Sequence, residues 1–266
     1  MNLSRIIGHA LADMRGMSPL IHCITNHVTS GDTANMLLAA GASPIMADDP
    51  AESAEITAIA GGLTLNLGTP SQPKVEAMLR SGEEANRRGI PVVFDPVGVG
   101  CTGFRRGSAA EIIRRVKLTA VRGNLSEVSF LAGFDSRENG VDSSETQISP
   151  REAAQTAARK LGCVCAVTGA IDVISDGERT AVIRNGNPML RHITGAGCMT
   201  SALCAALCSV SGAFTGTAAA IAFMDICGEL AAEHSGGAGS FRAALFDFAG
   251  NITPELLMER LDIDED

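Results

Sequence analysis

Short apolar runs and stretches of helical spacing alternate along most of the chain. The runs at 63–67, 92–95, 118–122 and 163–168 are bounded by polar or glycine residues and read as strands. Between them, 72–88, 108–116 and 150–161 read as helices. Pro91 stands just before the second strand, where it removes no central ladder bond. Strands at 173–175 and 180–183 flank Asp176-Gly177, a hairpin signal. From Gly197 onward the pattern is helical to the end, with turns near Ser211-Gly212, 235–239 and 251–254. Strand–helix alternation predicts an α/β fold with a mainly parallel sheet covered on both faces. No repeat, linker or boundary divides it, so a single domain over 1–266 is expected.

Composition narrows the class. Aromatic residues make up 3% of the 266, with no Trp or Tyr, so Ala, Leu, Ile, Val and Met must build the core. The net charge of −9 and the lack of a basic face argue against a nucleic-acid partner. An anion would have to be held by backbone N–H groups and one or two placed cations. The eight cysteines follow a charged, amphipathic opening rather than a secretory leader, so a reduced, cytoplasmic protein is expected. The segment 197–224 has no charge but is rich in Ala, Ser, Thr and Gly, and Asp225 and Glu229 follow. It reads as two buried helices, at a subunit interface or within the core, rather than a membrane span.

In open α/β sheets ligands bind beyond the carboxyl ends of the strands. Asn66-Leu67-Gly68-Thr69, Asp95-Pro96, Arg122-Gly123-Asn124 and Thr168-Gly169 all fall there. Gly98-Val99-Gly100-Cys101-Thr102-Gly103 is a literal G-x-G-x-x-G, but it follows no first strand and no acidic strand end lies about twenty residues on. A dinucleotide site is therefore disfavoured, and no G-x-x-x-x-G-K-[ST] is present. Thr194-Gly195-Ala196-Gly197-Cys198 opens an uncharged helix. It can be an anion cradle for a migrating phosphoryl group or only a glycine-rich helix entry. Cys198 in the first turn can be a base, a nucleophile assisted by His192, or a packing residue; a helix start would lower its pKa. Asp95 and Glu127 can hold a hydrated Mg²⁺ on nucleotide phosphates, while Asn124 to Glu127 also reads as a capping box.

Taken together, 19–26, Ala34-Asn35, 41–46, Asn66-Leu67-Gly68-Thr69, 95–100, Arg122-Gly123-Asn124, 166–169 and 194–199 are similar to the motif set of the hydroxyethylthiazole kinases, which belong to the ribokinase-like superfamily. The resemblance runs over nearly the whole chain. It implies a three-layer αβα sandwich and transfer of the γ-phosphoryl of ATP to the hydroxyl of 4-methyl-5-(2-hydroxyethyl)thiazole, with Mg²⁺. By matching positions it implies that Arg122 and Thr168 contact ATP, and that Met46 and Gly195 contact the thiazole, with Asn26 and Gly68 lining the same pocket. It also implies a homotrimer with active sites between subunits, so that Met46 and Cys198 serve one site from different chains. Ala196 stands where the family often has Thr, Leu125 replaces a smaller residue, and Ala238 replaces Pro. Related pyridoxal or pyrimidine kinases and a lyase on the same fold usually carry Asp where this chain has Cys198, which sets them behind the thiazole kinase.

Overall fold

The structure, a computed structural model, describes residues 3–134 and 148–266. Among these, the strands are β1 (Leu20–Ile24), β2 (Ser43–Ile45), β3 (Gly62–Asn66), β4 (Val92–Asp95), β5 (Ala120–Asn124), β6 (Val164–Thr168), β7 (Asp172–Ser175), β8 (Thr180–Ile183) and β9 (Ile263–Glu265). They form one sheet in the order β2-β1-β3-β4-β5-β6-β7-β8-β9. The pairings from β2 through β6 are parallel, and β7 to β9 continue the sheet antiparallel. β3 and β4 are buried at every residue, as central parallel strands must be when helices cover both faces.

Two apolar clusters lie on opposite faces of this sheet. The first unites α1 (Leu3–Met17), α2 (Ser30–Ala40), α8 (Ala196–Ser211), α9 (Ala213–Glu233), α10 (Ala238–Asn251) and α11 (Pro254–Arg260). The second holds α4 (Gln72–Arg88), α5 (Gly103–Arg115), α6 (Leu125–Ala132) and α7 (Pro150–Leu161), with α3 (Ser53–Ile59) packed on α4. Neighbouring strand residues divide between them: Val93 belongs to the first cluster, Val92 and Phe94 to the second. The result is the three-layer αβα sandwich, in one domain.

The strand and helix expectations hold with small shifts, and the hairpin is as expected except that β7 begins one residue earlier, at Asp172. α5 begins at Gly103 rather than 108, because the Thr102 hydroxyl caps it by accepting from the Arg105 N–H at 3.2 Å. β1, β2 and β9 carry weaker signals. β1 has a buried His22 in its middle, β2 is three residues with a central proline, and β9 is acidic. The expected helical run to the end is thus corrected: β9 pairs with β8, a contact no local periodicity announces.

The uncharged segment is the hairpin of α8 and α9, joined at Gly212. By length and composition α9 could cross a bilayer, yet 78% of its apolar window is buried inside this fold. Small side chains let the two helices close tightly. A Cβ at Gly216 would lie 2.5 Å from the Cys208 backbone nitrogen. Gly216→Ala is therefore expected to lower unfolding stability by about 1–3 kcal/mol despite alanine's better helix propensity. A denaturant melt checks this, and an unchanged midpoint would contradict the packing.

Candidate active site

The parallel strands release polar residues at one end. Asn66 closes β3, Asp95 closes β4 beside it in register, and Thr168 closes β6; Asn26 follows β1. α8 starts at the same end, and its first residues meet these strand exits. The N-cap Gly195 has φ 93°, the left-handed region, and a Cβ there would lie 2.6 Å from the Thr29 methyl. Both constraints select glycine.

Behind this turn runs a web of side-chain hydrogen bonds. Asn26 Oδ1 accepts from the Thr29 N–H and hydroxyl, each at 3.0 Å. Asn26 Nδ2 donates to Cys198 Sγ at 3.1 Å and to Asn66 Oδ1 at 3.3 Å. Asn66 Nδ2 donates to Cys198 Sγ at 3.3 Å and to Asp95 Oδ2 at 2.8 Å. The Ser201 hydroxyl donates to the same Asp95 oxygen at 2.8 Å. Asn66 Oδ1 also accepts from the Gly68 N–H at 2.8 Å, and a side chain at Gly68 would strike Asn26. Two amide donors thus meet the Cys198 sulfur, leaving its S–H for another partner.

In front lies a cleft of about 320 Å³. Its walls include Asp95, Arg122, Glu127, Thr168 and the turn Gly195-Ala196-Gly197-Cys198. The Arg122 guanidinium donates to the Thr168 hydroxyl and lies against Gly197, where any Cβ would collide with it. Glu127 accepts from the Gly98 N–H and the Asn124 N–H, each at 2.9 Å. With the Glu127 N–H donating to Asn124 Oδ1 at 3.0 Å, the expected capping box is present. The G-x-G-x-x-G segment is a turn tied to Glu127 and, through Arg105, to the Leu67, Gly68 and Val97 carbonyls.

The cleft gathers some of the expected residues and not others. Burial foremost, then the Asp95 charge, pushes the Cys198 thiol up, so the expected lowering by the helix start is overridden. His192 sits exposed on the short 3-10 turn Pro188–His192 and is not among the described hydrogen-bond partners of Cys198. Met46 follows β2 and is 37% exposed, outside the cleft wall. Asn26 and Gly68 stand behind Cys198, not in the cleft. Sequence reasoning missed Asp172 and Asp225, both on the cleft wall beside Arg122. Burial raises both carboxyls, Asp225 further, where the neighbouring Asp172 adds to the rise. The available signal for Asp225 was its place as the first charge after the uncharged run 197–224.

Asp95 is 1% exposed, and its Oδ1 has no hydrogen-bond partner. Burial lifts its carboxyl to about 6, and Glu127 adds to this, against Arg122, Ser201 and Asn66. The folded state therefore holds the proton more tightly than the unfolded chain. The stability gained by protonation is full below about pH 4 and lost as pH rises through about 6. Asp95→Asn is expected to be more stable than the parent by about 2–3 kcal/mol at pH 8. That gain should shrink toward pH 5, measured by denaturant melts; a pH-independent difference would contradict it.

Among the described residues no three or more His, Cys, Asp or Glu side chains converge as a metal cage. The cleft instead offers a guanidinium, a helix start, an unpaired carboxylate oxygen and a half-buried thiol within one small volume. Such a set suits an anion brought against a polar acceptor.

Known proteins match this picture. A sequence model of the hydroxyethylthiazole kinase family matches residues 11–255. A hydroxyethylthiazole kinase of Ruminiclostridium cellulolyticum is 44% identical over 265 residues, covering 97% of each chain. The solved structure of a hydroxyethylthiazole kinase protein from Pyrococcus horikoshii superposes with a TM-score of 0.90 at 36% identity, covering 98% of each chain. A ribokinase-like superfamily protein from Enterococcus faecalis shares the fold at a TM-score of 0.64 and 11% identity, covering 88% of this chain and 87% of that one. With its fold, its strand-end residues and the turn before α8 all of one pattern, the chain belongs to the hydroxyethylthiazole kinase family.

Proposed function

We propose that this chain transfers the γ-phosphoryl of ATP to the hydroxyl of 4-methyl-5-(2-hydroxyethyl)thiazole, with Mg²⁺, giving the thiazole phosphate for thiamine phosphate synthesis. The observation that supports it most directly is the Arg122 guanidinium packed on the first turn of α8. Two positive features side by side are favourable only with an anion across them. A phosphoryl group entering there would meet the N–H groups of the turn 195–198 and the guanidinium together. Phosphoryl transfer needs mainly such positioning and charge stabilisation.

Arg122 and Thr168 hold the nucleotide phosphates, and the turn 195–198 holds the migrating group. Asn26 and Asn66 fix Cys198 so that its thiol orients the acceptor hydroxyl. With its pKa raised, Cys198 is a poor base, and the hydroxyl proton leaves late in a loose transition state. Asp95, through its unpaired Oδ1, and Glu127 fit Mg²⁺, which commonly takes one or two carboxylates plus waters and phosphates. That ion would neutralise phosphate charge. Val28 and Met46, exposed to 71% and 37% at the same end, support a second subunit closing the thiazole side, as in a homotrimer. The enzyme works in the cytoplasm, in keeping with eight free cysteines.

The test is ADP release by purified protein with Mg·ATP. Release dependent on the thiazole alcohol is expected, and its absence would sink the proposal. Arg122→Ala should raise KM for ATP at least about tenfold while sparing that for the alcohol. Unchanged ATP kinetics would remove Arg122 from the nucleotide site. Cys198→Ala should lower kcat about 10- to 100-fold; complete loss would mean that the sulfur is a base or nucleophile after all.

A further inference from the structure

α5 opens with Arg105 and Arg106 in its first turn and no acid beside them. That is an unfavourable place for cations, since a helix start is itself partly positive. Both side chains turn back onto the G-x-G-x-x-G segment, which a dinucleotide site does not account for. Arg105 donates to the Val97 carbonyl at 2.5 Å, to the Gly68 carbonyl at 2.7 Å and to the Leu67 carbonyl. Arg106 donates to the Gly100 carbonyl at 2.9 Å. Where a local preference is overridden like this, function is the usual reason.

The Val97 carbonyl and the Gly98 N–H belong to one peptide unit. Its oxygen accepts from Arg105, and its N–H donates to Glu127 Oε1 at 2.9 Å. Because the unit is planar and trans, fixing the oxygen fixes the direction of the N–H. A cation on the oxygen also polarises the unit and strengthens the bond that its N–H makes to a carboxylate. Gly98 has φ 63°, a left-handed backbone that a side chain disfavours. The second Glu127 oxygen accepts from the Asn124 N–H at 2.9 Å. One such bond would leave the carboxylate free to turn about its last torsion, whose wells are broad; two bonds set its plane. Glu127 therefore stands on the cleft wall with its carboxylate fixed, although the side chain is only half-buried.

We infer that Arg105 is a positioning residue for the metal: through the peptide between Val97 and Gly98 it holds the Glu127 carboxylate in the orientation that takes Mg²⁺. This rests on the reading that Glu127 is a ligand of that ion. Mg²⁺ tolerates little departure from octahedral geometry, so a carboxylate free to rotate binds it less well. Arg105 is not on the cleft wall, and its effect reaches the ion only through the peptide. Arg122 and Thr168, bonded to each other, take no part in this relay, so a nucleotide held without metal does not feel its loss.

Mn²⁺ serves as the probe, followed by electron paramagnetic resonance on the full chain saturated with ADP and without the alcohol, so that no turnover enters. Arg105→Gln is expected to raise the Mn²⁺ Kd about tenfold, with metal-free ADP binding within about twofold. Arg105 also holds the Leu67 and Gly68 carbonyls, so Gly98→Ala probes the peptide alone with the guanidinium in place. It should raise the Mn²⁺ Kd about fivefold. Glu127→Gln should raise it at least as far as Arg105→Gln does, and combining the two should add nothing further. An unchanged Mn²⁺ Kd in either relay variant, an equal loss of metal-free ADP binding, or a further rise in the double variant would each overturn the inference. Glu127→Gln separates the two ideas. If it raises the Mn²⁺ Kd while a relay variant does not, the metal reading stands and the relay fails. If it leaves the Kd unchanged, the metal reading is wrong and the relay falls with it.

Discussion

The contact of the Arg122 guanidinium with Gly197 is the constraint around which the open end of the sheet is arranged. A Cβ at Gly197 would push the guanidinium away, so the bare backbone there lets a cation lie at a helix start that already favours negative charge. Four carboxyls surround that charge at different strengths. Asp95 and the Asp172–Asp225 pair feel it directly, and Glu127 is held in place by two backbone N–H groups. The burial of three of these acids keeps protons on them more readily than in water, so the cleft is less negative than its composition suggests.

The amide web behind the turn links the two halves of the site. Asn66 touches both Cys198 and Asp95, and Asn26 touches both Cys198 and Thr29. A displacement of either strand exit is thus felt at the sulfur within two hydrogen bonds. Asp95 sits at the end of a fully buried strand, so the web is referenced to the stiffest part of the molecule.

Most of the sheet was legible because its central strands are continuous apolar runs and the helices between them keep their spacing. β4, α4, α7 and β8 have the expected residues, and β7 begins one residue earlier, at Asp172. The edges were not legible. β2 has three residues and β9 is acidic, and both owe their form to pairing with a neighbour rather than to their own pattern. In the site, Asp95, Arg122, Thr168 and the turn 195–198 were visible as polar punctuation at strand ends and before a helix. Asp172 and Asp225 were not, since a charged residue in a helix or at a strand start reads as a solvated face until burial is known. The raised thiol of Cys198 was equally out of reach. Position on a helix can be read from sequence, while desolvation requires the neighbours that fold over it.

The two sheet borders have their own consequence. An unpaired strand edge invites another chain to add itself. At one border Pro44, in the middle of β2, offers no N–H there. At the other, Asp262, Asp264, Glu265 and Asp266 on and beside β9 are ion-paired with Arg184, Arg179 and Arg151, so an added strand would meet a row of charged side chains rather than an apolar edge. A missing donor guards one side and a charged ladder of side chains the other, so the sheet can stay at nine strands in a crowded solution.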